Sequence, residues 1–201
     1  VFTLYNYGDA LPYLLLDFTE RCAYSMRHIS RCDGKLTVDH FNPRKKKNKY
    51  HYYDNLFPAT HRCNRAKSDT WPTKSKRDAG HRFLNCCEEP DYGSHIFEDP
   101  DTHKLVGLSK EGRFHILHCQ LNDKYLVEER AERAELWNLL ENRAVKIKNP
   151  AEVQPYIEKL RQQAEKMIPT IPYLSGEALD RHRAFEKAVD QIKRSTEAPA
   201  S

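Results

Sequence analysis

At 201 residues the chain can bury a core of its own, and it is short enough to hold one domain with an appendage or two small ones. Hydrophobic residues make up 39% and charged residues 31%, which is too much Leu, Tyr, Phe and Val for a disordered chain. The formal charge of +4 is concentrated: from His40 to Lys67 eight basic residues face one acid, net +7, which leaves −3 for everything else. The longest apolar run, Leu11 to Leu16, is far short of the roughly eighteen residues that cross a bilayer, which excludes a membrane-spanning helix.

In chain order, Asp9 to Tyr24 has the length and apolar content of a helix, and Pro12, suited only to a first turn, sets its start at Ala10 or Leu11. Gly34 makes a turn before the β-branched stretch Leu36 to Val38, a short strand. Asn42-Pro43 opens a loop that runs through the basic cluster and returns near Tyr52 to Phe57, followed by a short helix from Thr60 to about Ser68 that stops before Trp71-Pro72. Strand, long loop, strand and helix make one ββα unit. Further on, His95 to Glu98, Lys104 to Leu108 and Arg113 to Leu117 are expected as strands, with Gly112 at a hairpin turn.

From Leu126 the pattern becomes helical, with Val127, Ala131, Ala134, Trp137, Leu140, Ala144 and Ile147 on one face. A second helix is expected after Asn149-Pro150, carrying Val153, Ile157, Leu160, Ala164 and Ile168, and a third from Ser175 through Phe185 and Val189. The fold class is α+β, divided into residues 1–122 and a helical region, 123–201. No segment reads as a secretory signal, and six cysteines in such a chain are expected to stay reduced or bind metal, so the expected location is cytoplasmic.

Chemistry concentrates between Leu36 and Asp69. An Asp-His pair, Asp39-His40, ends the first strand; Asn55 follows fifteen residues after the histidine, and Asn64 with Lys67 lies on the helix nine residues later. Hydrolysing a phosphodiester takes a base for the water, a cation for the charge on the phosphate and something to hold both in register. Asp39 is a hard oxygen ligand, and a neutral imidazole at His40 can accept a proton. Adjacent strand residues face opposite sides, so the pair serves one site only where the strand ends or kinks. His51 and His61 lie close by as competing bases.

Through VDHFNP, YDNLFP and CNRAKSD, the stretch from Cys22 to Trp71 resembles the HNH endonucleases, with Asn64 where the motif's last histidine would stand. The resemblance implies a ββα-metal core within about 22–72, His40 as general base, Asp39 and Asn64 as ligands of one Mg²⁺ or Mn²⁺, and Asn55 bracing the loop of the base. It also implies metal-dependent nicking of DNA with 5′-phosphate and 3′-hydroxyl products. Lys67 is placed to reach a phosphate or the Asp39 carboxylate. The family's two Cys-x-x-Cys pairs read here as Cys22 with Ser25 and Thr60 with Cys63, so a structural Zn²⁺ of four thiolates is not expected; Cys22, His28, Cys32 and Cys63 are an alternative set of ligand types.

Affinity for DNA, double-stranded or single-stranded, is expected from Arg44, Lys45, Lys46, Lys47, Lys49, Arg62, Arg65 and Lys67 on phosphates, with Tyr50, Tyr52 and Tyr53 as stacking candidates. The C-terminal helices are expected to offer a docking surface to a second copy or to a targeting or ATPase subunit, a setting that analogy places in bacterial defence against phage. Two alternatives share the same residues: a nucleic-acid-binding subunit whose site is silent until a partner activates it, and a nuclease of RNA.

Overall fold

The computed structural model describes residues 3–4, 6–45, 51–89, 91–144 and the short stretches 155, 158–159, 162–164 and 166–167. Its strands are β1 (Thr3–Leu4), β2 (Thr37–His40), β3 (His51–Tyr52), β4 (Leu56–Ala59), β5 (Ile96–Glu98) and β6 (Leu105–Gly107), paired antiparallel as β1–β3, β2–β4 and β5–β6. Its helices are α1 (Leu11–Asp17), α2 (His61–Lys67), α3 (Lys74–Asp78), α4 (Lys110–His118) and α5 (Lys124–Ala144). None of the described helices is long and apolar enough to cross a membrane.

The ββα unit forms as β2, β4 and α2, with Asp39 opposite Phe57 and His40 opposite Leu56 in the ladder. Thr60 turns the chain from β4 into α2 by accepting the Cys63 N–H at 3.2 Å, a side-chain cap that satisfies an orphan donor of the first turn. The inner faces close on a core of Cys22, Tyr24, Phe57, Cys63 and Leu84, while Ala10 and Leu14 of the first helical segment pack with Leu56.

Three expectations are corrected. Helix α1 ends at Asp17 and does not reach Tyr24, because Thr19 and Glu20 turn left-handed, with φ of 49° and 58°, and Glu20 N–H bonds back to Leu15 O. Arg113 to Leu117 is not a strand but the middle of α4: Ser109 caps it by accepting the Gly112 N–H at 3.0 Å, and Gly112 is there for proximity, not for a turn. A Cβ at that position would sit 1.9 Å from the carbonyl oxygen of His95, so only glycine lets α4 cross so close to β5.

Helix α5 forms where the periodicity put a helix, but the side chains it buries are Leu126, Glu129, Arg130 and Arg133, while Val127, Ala131, Ala134 and Trp137 are half-buried. Each buried charge has a partner. Glu129 accepts from Arg27 at 2.6 Å and Arg31 at 3.2 Å, Arg133 pairs with Glu98, and Arg130 donates to the carbonyls of His103 and Leu121. A hydrophobic count cannot see a face held this way. The Leu140 and Ala144 side chains, Ile147, and the helices expected after Pro150 and Ser175 lie outside what the structure describes, apart from the short stretches named above.

Two consequences can be measured. Replacing Gly112 by Ala forces α4 off β5 and should lower the urea midpoint by a large margin, whereas the exposed Ala79→Gly should change it little. Burial pushes His115, whose Nδ1 accepts the Leu84 N–H, down to about 3. An unfolded histidine takes up its proton near pH 6.5, so between those values the unfolded state binds more protons and stability falls with falling pH, by at most ~1.4 kcal/mol per pH unit. His115→Asn keeps an acceptor and should flatten the loss of stability between about pH 6.5 and 4.5; an unchanged slope would assign it to other groups.

Candidate active site

Asp39 and His40 are consecutive on β2 and both are almost fully buried, yet strand alternation gives them different neighbours. The Asp39 carboxylate meets the Lys67 ammonium at 2.9 Å and accepts from the Tyr24 hydroxyl, and both contacts fall on Oδ2, which fixes its orientation. Burial, followed by the Asp39 charge, raises the Tyr24 hydroxyl well above its usual range, so it stays a donor. Lys67 is fully buried on α2 and also donates to the His40 carbonyl oxygen at 2.9 Å. One side chain of the helix thus holds the carboxylate and the backbone of the next residue.

His40 points to another set. Its Nε2 lies 2.8 Å from Nδ1 of His51, and the ring of Tyr7 stands edge-on to both imidazoles, at 4.9 and 5.1 Å between centroids. Asn55 is buried and ties back to the chain after His40: its Oδ1 accepts the Asn42 N–H at 2.9 Å and its Nδ2 donates to Asn42 O at 3.1 Å. Its own carbonyl accepts from Phe41 N–H, so the chain leaving His40 is fastened at three points. Asn64 donates from Nδ2 to Thr37 Oγ1 at 3.0 Å, and Thr37, two residues before Asp39, shares its side of β2.

Asp39 and Asn64 therefore stand together on the face that α2 covers, with His40 on the other. The described residues contain no group of three His, Cys, Asp or Glu side chains disposed to hold a metal ion. The donor chemistry nevertheless fits a hard divalent ion: Mg²⁺ takes oxygen ligands, often only one or two carboxylates, and fills its remaining positions with water and substrate phosphate. A carboxylate and a carboxamide supply such oxygens.

Of the basic residues, Arg44 and Lys45 are exposed just after β2, and Arg62 and Arg65 are exposed on α2. Arg44 donates to Trp71 O at 3.0 Å, and Arg62 lies over the Tyr125 ring, 3.8 Å from Asp123. Lys67 is withdrawn from phosphate binding, since its ammonium is buried and spent on Asp39 and His40. Lys46, Lys47, Lys49 and Tyr50 lie outside the described residues. Tyr53 is tied through its hydroxyl to Asp17, leaving Tyr52 as the exposed tyrosine of its pair.

Cys22 and Cys63 are both fully buried. Cys22 Sγ accepts the Ser25 N–H at 3.5 Å; burial alone would raise its thiol, but hydrogen bonds from Cys63 and Ser25 outweigh this and hold it below the usual range. The His28 ring turns to Ser30 and Glu20, and Cys32 donates to the His28 carbonyl, so that set of four does not gather around one point. The residues the sequence did not assign are Tyr24, Tyr7 and the His51 contact. His51 was visible as a nearby imidazole, but the length of the loop leaves its register with His40 open.

Residues 20–70, about a quarter of the chain, match the family model of the HNH endonucleases. No curated protein and no solved structure matches the chain. The match covers all the residues quoted for the resemblance except Trp71, and makes this segment an HNH endonuclease domain.

The buried ion pair gives a direct test. Lys67→Met leaves the Asp39 carboxylate buried without its cation and should cost about 3–5 kcal/mol in urea unfolding, while the double variant Lys67→Met with Asp39→Leu should recover part of that loss. Equal stability of wild type and Lys67→Met would remove the pair from its structural role.

Proposed function

We propose that this protein is a metal-dependent endonuclease that hydrolyses phosphodiester bonds of DNA, one strand at a time, leaving a 5′-phosphate and a 3′-hydroxyl. The observation that carries the reading is the conjunction of His40, braced at the very end of β2 on one face, with Asp39 and Asn64 together on the other, inside the segment that matches a nuclease family.

In this reading His40 is the general base. Of its two tautomers, the one with the proton on Nε2, donated to His51 Nδ1, leaves the lone pair on Nδ1, where the proton of the attacking water is taken up. His51 is then a positioning residue, and Asn55 keeps the ring from drifting by holding the backbone that follows it. A Mg²⁺ or Mn²⁺ held by Asp39 and Asn64 would supply charge to offset that on the phosphate and the leaving oxygen. Arg44, Lys45, Arg62 and Arg65, with Lys46, Lys47 and Lys49, contact phosphates and position the strand without reading its sequence. The helical region from residue 123 offers the surface for a second copy or for a targeting or ATPase subunit, in a cytoplasmic role in defence against phage. One base and one ion per chain make one nick, so a double-strand cut takes two chains or two events.

In a nicking assay on supercoiled plasmid, His40→Ala should lose about 10²–10⁴-fold in rate while retaining the plasmid in a gel. Undiminished cleavage overturns the assignment of the base. Asn64→Ala should shift the Mg²⁺ requirement to higher concentration, and an unaltered metal titration would remove it as a ligand. Protein that binds plasmid and never nicks it with Mg²⁺ or Mn²⁺ favours the silent subunit, and labelled RNA cut in preference to DNA of the same sequence favours the RNA nuclease.

A further inference from the structure

Beside the candidate active site lies a cleft of about 520 Å³ whose lining includes Trp71, Lys76, His81, Phe114 and His118 and no carboxylate. That volume falls within the range of about 300–1,000 Å³ typical of small-ligand pockets. Its walls are set by packing. The Phe114 ring stands edge-on to the buried Phe83 at 5.1 Å and lies 4.1 Å from His118, tilted by only 35°. Opposite, Trp71 is held edge-on to Phe41 at 5.5 Å and carries the Arg77 guanidinium over its ring at 5.2 Å. Trp71, Phe114 and His118 are half-buried, so these rings line an opening. Burial holds His118 below its usual range, which favours a neutral ring at pH 7.

The cleft is coupled to the catalytic loop. Phe41 follows His40 directly, and Arg44, three residues further, donates to the Trp71 carbonyl. The rim segment Lys74 to Asp78 adds three basic residues and one acid, the acid being paired with Lys74 at 2.7 Å. Flat apolar walls with cations at the edge suit a π-system tethered to an anion.

We propose that this cleft is a nucleobase subsite, in which an unpaired base of the substrate strand, adjacent to the phosphate presented to His40, inserts among Trp71, Phe114 and His118 with its own phosphate near Lys76. The proposal rests on the nuclease reading and sharpens it, because a base buried in its own duplex cannot offer its faces. The preferred substrate is single-stranded or locally unpaired. Stacking tolerates every base, so the subsite selects for an unpaired state and not for a sequence. It also moves the stacking platform away from Tyr53, whose hydroxyl is committed to Asp17.

The test is equilibrium binding by fluorescence anisotropy, with the full chain in EDTA so that no strand is cut. The probes are a labelled oligothymidylate and the same strand with abasic residues throughout, matched in length and charge. His118→Ala, on a half-buried side chain, should weaken binding of the base-containing strand by about five-fold or more and leave the abasic strand unchanged. Trp71→Leu is the second variant, read alongside circular dichroism because Trp71 also supports Phe41, and should give the same selective loss. Variants that bind both strands as the wild type does, or that weaken both equally, overturn the subsite. Such a result with plasmid nicking intact leaves the nuclease standing without it; selective loss in a protein that never nicks retains the subsite on a binding protein.

Discussion

A fully buried ammonium fixes the geometry of this site. Lys67 reaches the interior from the last turn of α2 and finds two oxygens there, the Asp39 carboxylate and the His40 carbonyl. A buried charge without partners costs several kcal/mol, so the helix can dock on β2 only in the register that supplies both. That register puts Asn64, one turn earlier, against Thr37 and so on the side of Asp39. The Tyr24 hydroxyl, on the same carboxylate oxygen, ties in the segment that precedes the strand. Helix, strand and N-terminal segment are locked by polar contacts inside an otherwise apolar cluster, an arrangement that fixes orientation more tightly than packing alone.

The same device recurs where α5 meets the body of the protein. Glu129 between Arg27 and Arg31, and Arg133 on Glu98, are compensated charges where an apolar stripe would ordinarily be, and Arg130 is spent on carbonyls at the ends of two loops. Arg27 and Arg31 lie two and six residues after the Cys22 to Ser25 turn, so the helix bears on the segment that follows Tyr24. The two cysteines that flank β2 and β4 in the sequence, Cys22 and Cys63, are both fully buried thiols. Thr60 keeps a separate purpose as the cap of α2.

The residues proposed to carry chemistry stand out in the sequence because their types are restricted. Few side chains serve as base, hard ligand or loop brace, and Asp39, His40, Asn55 and Asn64 stand in order at spacings that a ββα unit makes adjacent. The capped helix α2 was legible for the same reason, Thr60 being a good cap and Ser68 a plausible stop. What escaped was set by contacts between distant segments. Gly112 carries the same letter whether it frees a turn or clears a carbonyl, and only the proximity of His95 decides. The end of α1 depends on left-handed Thr19 and Glu20, residue types that do not announce such a conformation. The His40–His51 contact depends on loop register, and the aromatic cleft on bringing residues 71 and 118 together.

The charge count at β2 bears on how an ion and a substrate would enter the site. Asp39 is the single carboxylate of the proposed ligand pair, and Lys67 already balances it. A divalent cation added to that pair would find no net negative charge from these two side chains. Its field would be left largely uncompensated by the protein and directed at whatever anion arrives. On the proposed reading a phosphodiester supplies that anion, so ion and strand should support each other's binding. The exposed Arg44, Lys45, Arg62 and Arg65 would, on the same reading, act in the same direction by holding phosphate near the ion. On the proposed reading Lys67 would have two consequences from one placement: it neutralises Asp39, and it would tie binding of the ion to the presence of the strand.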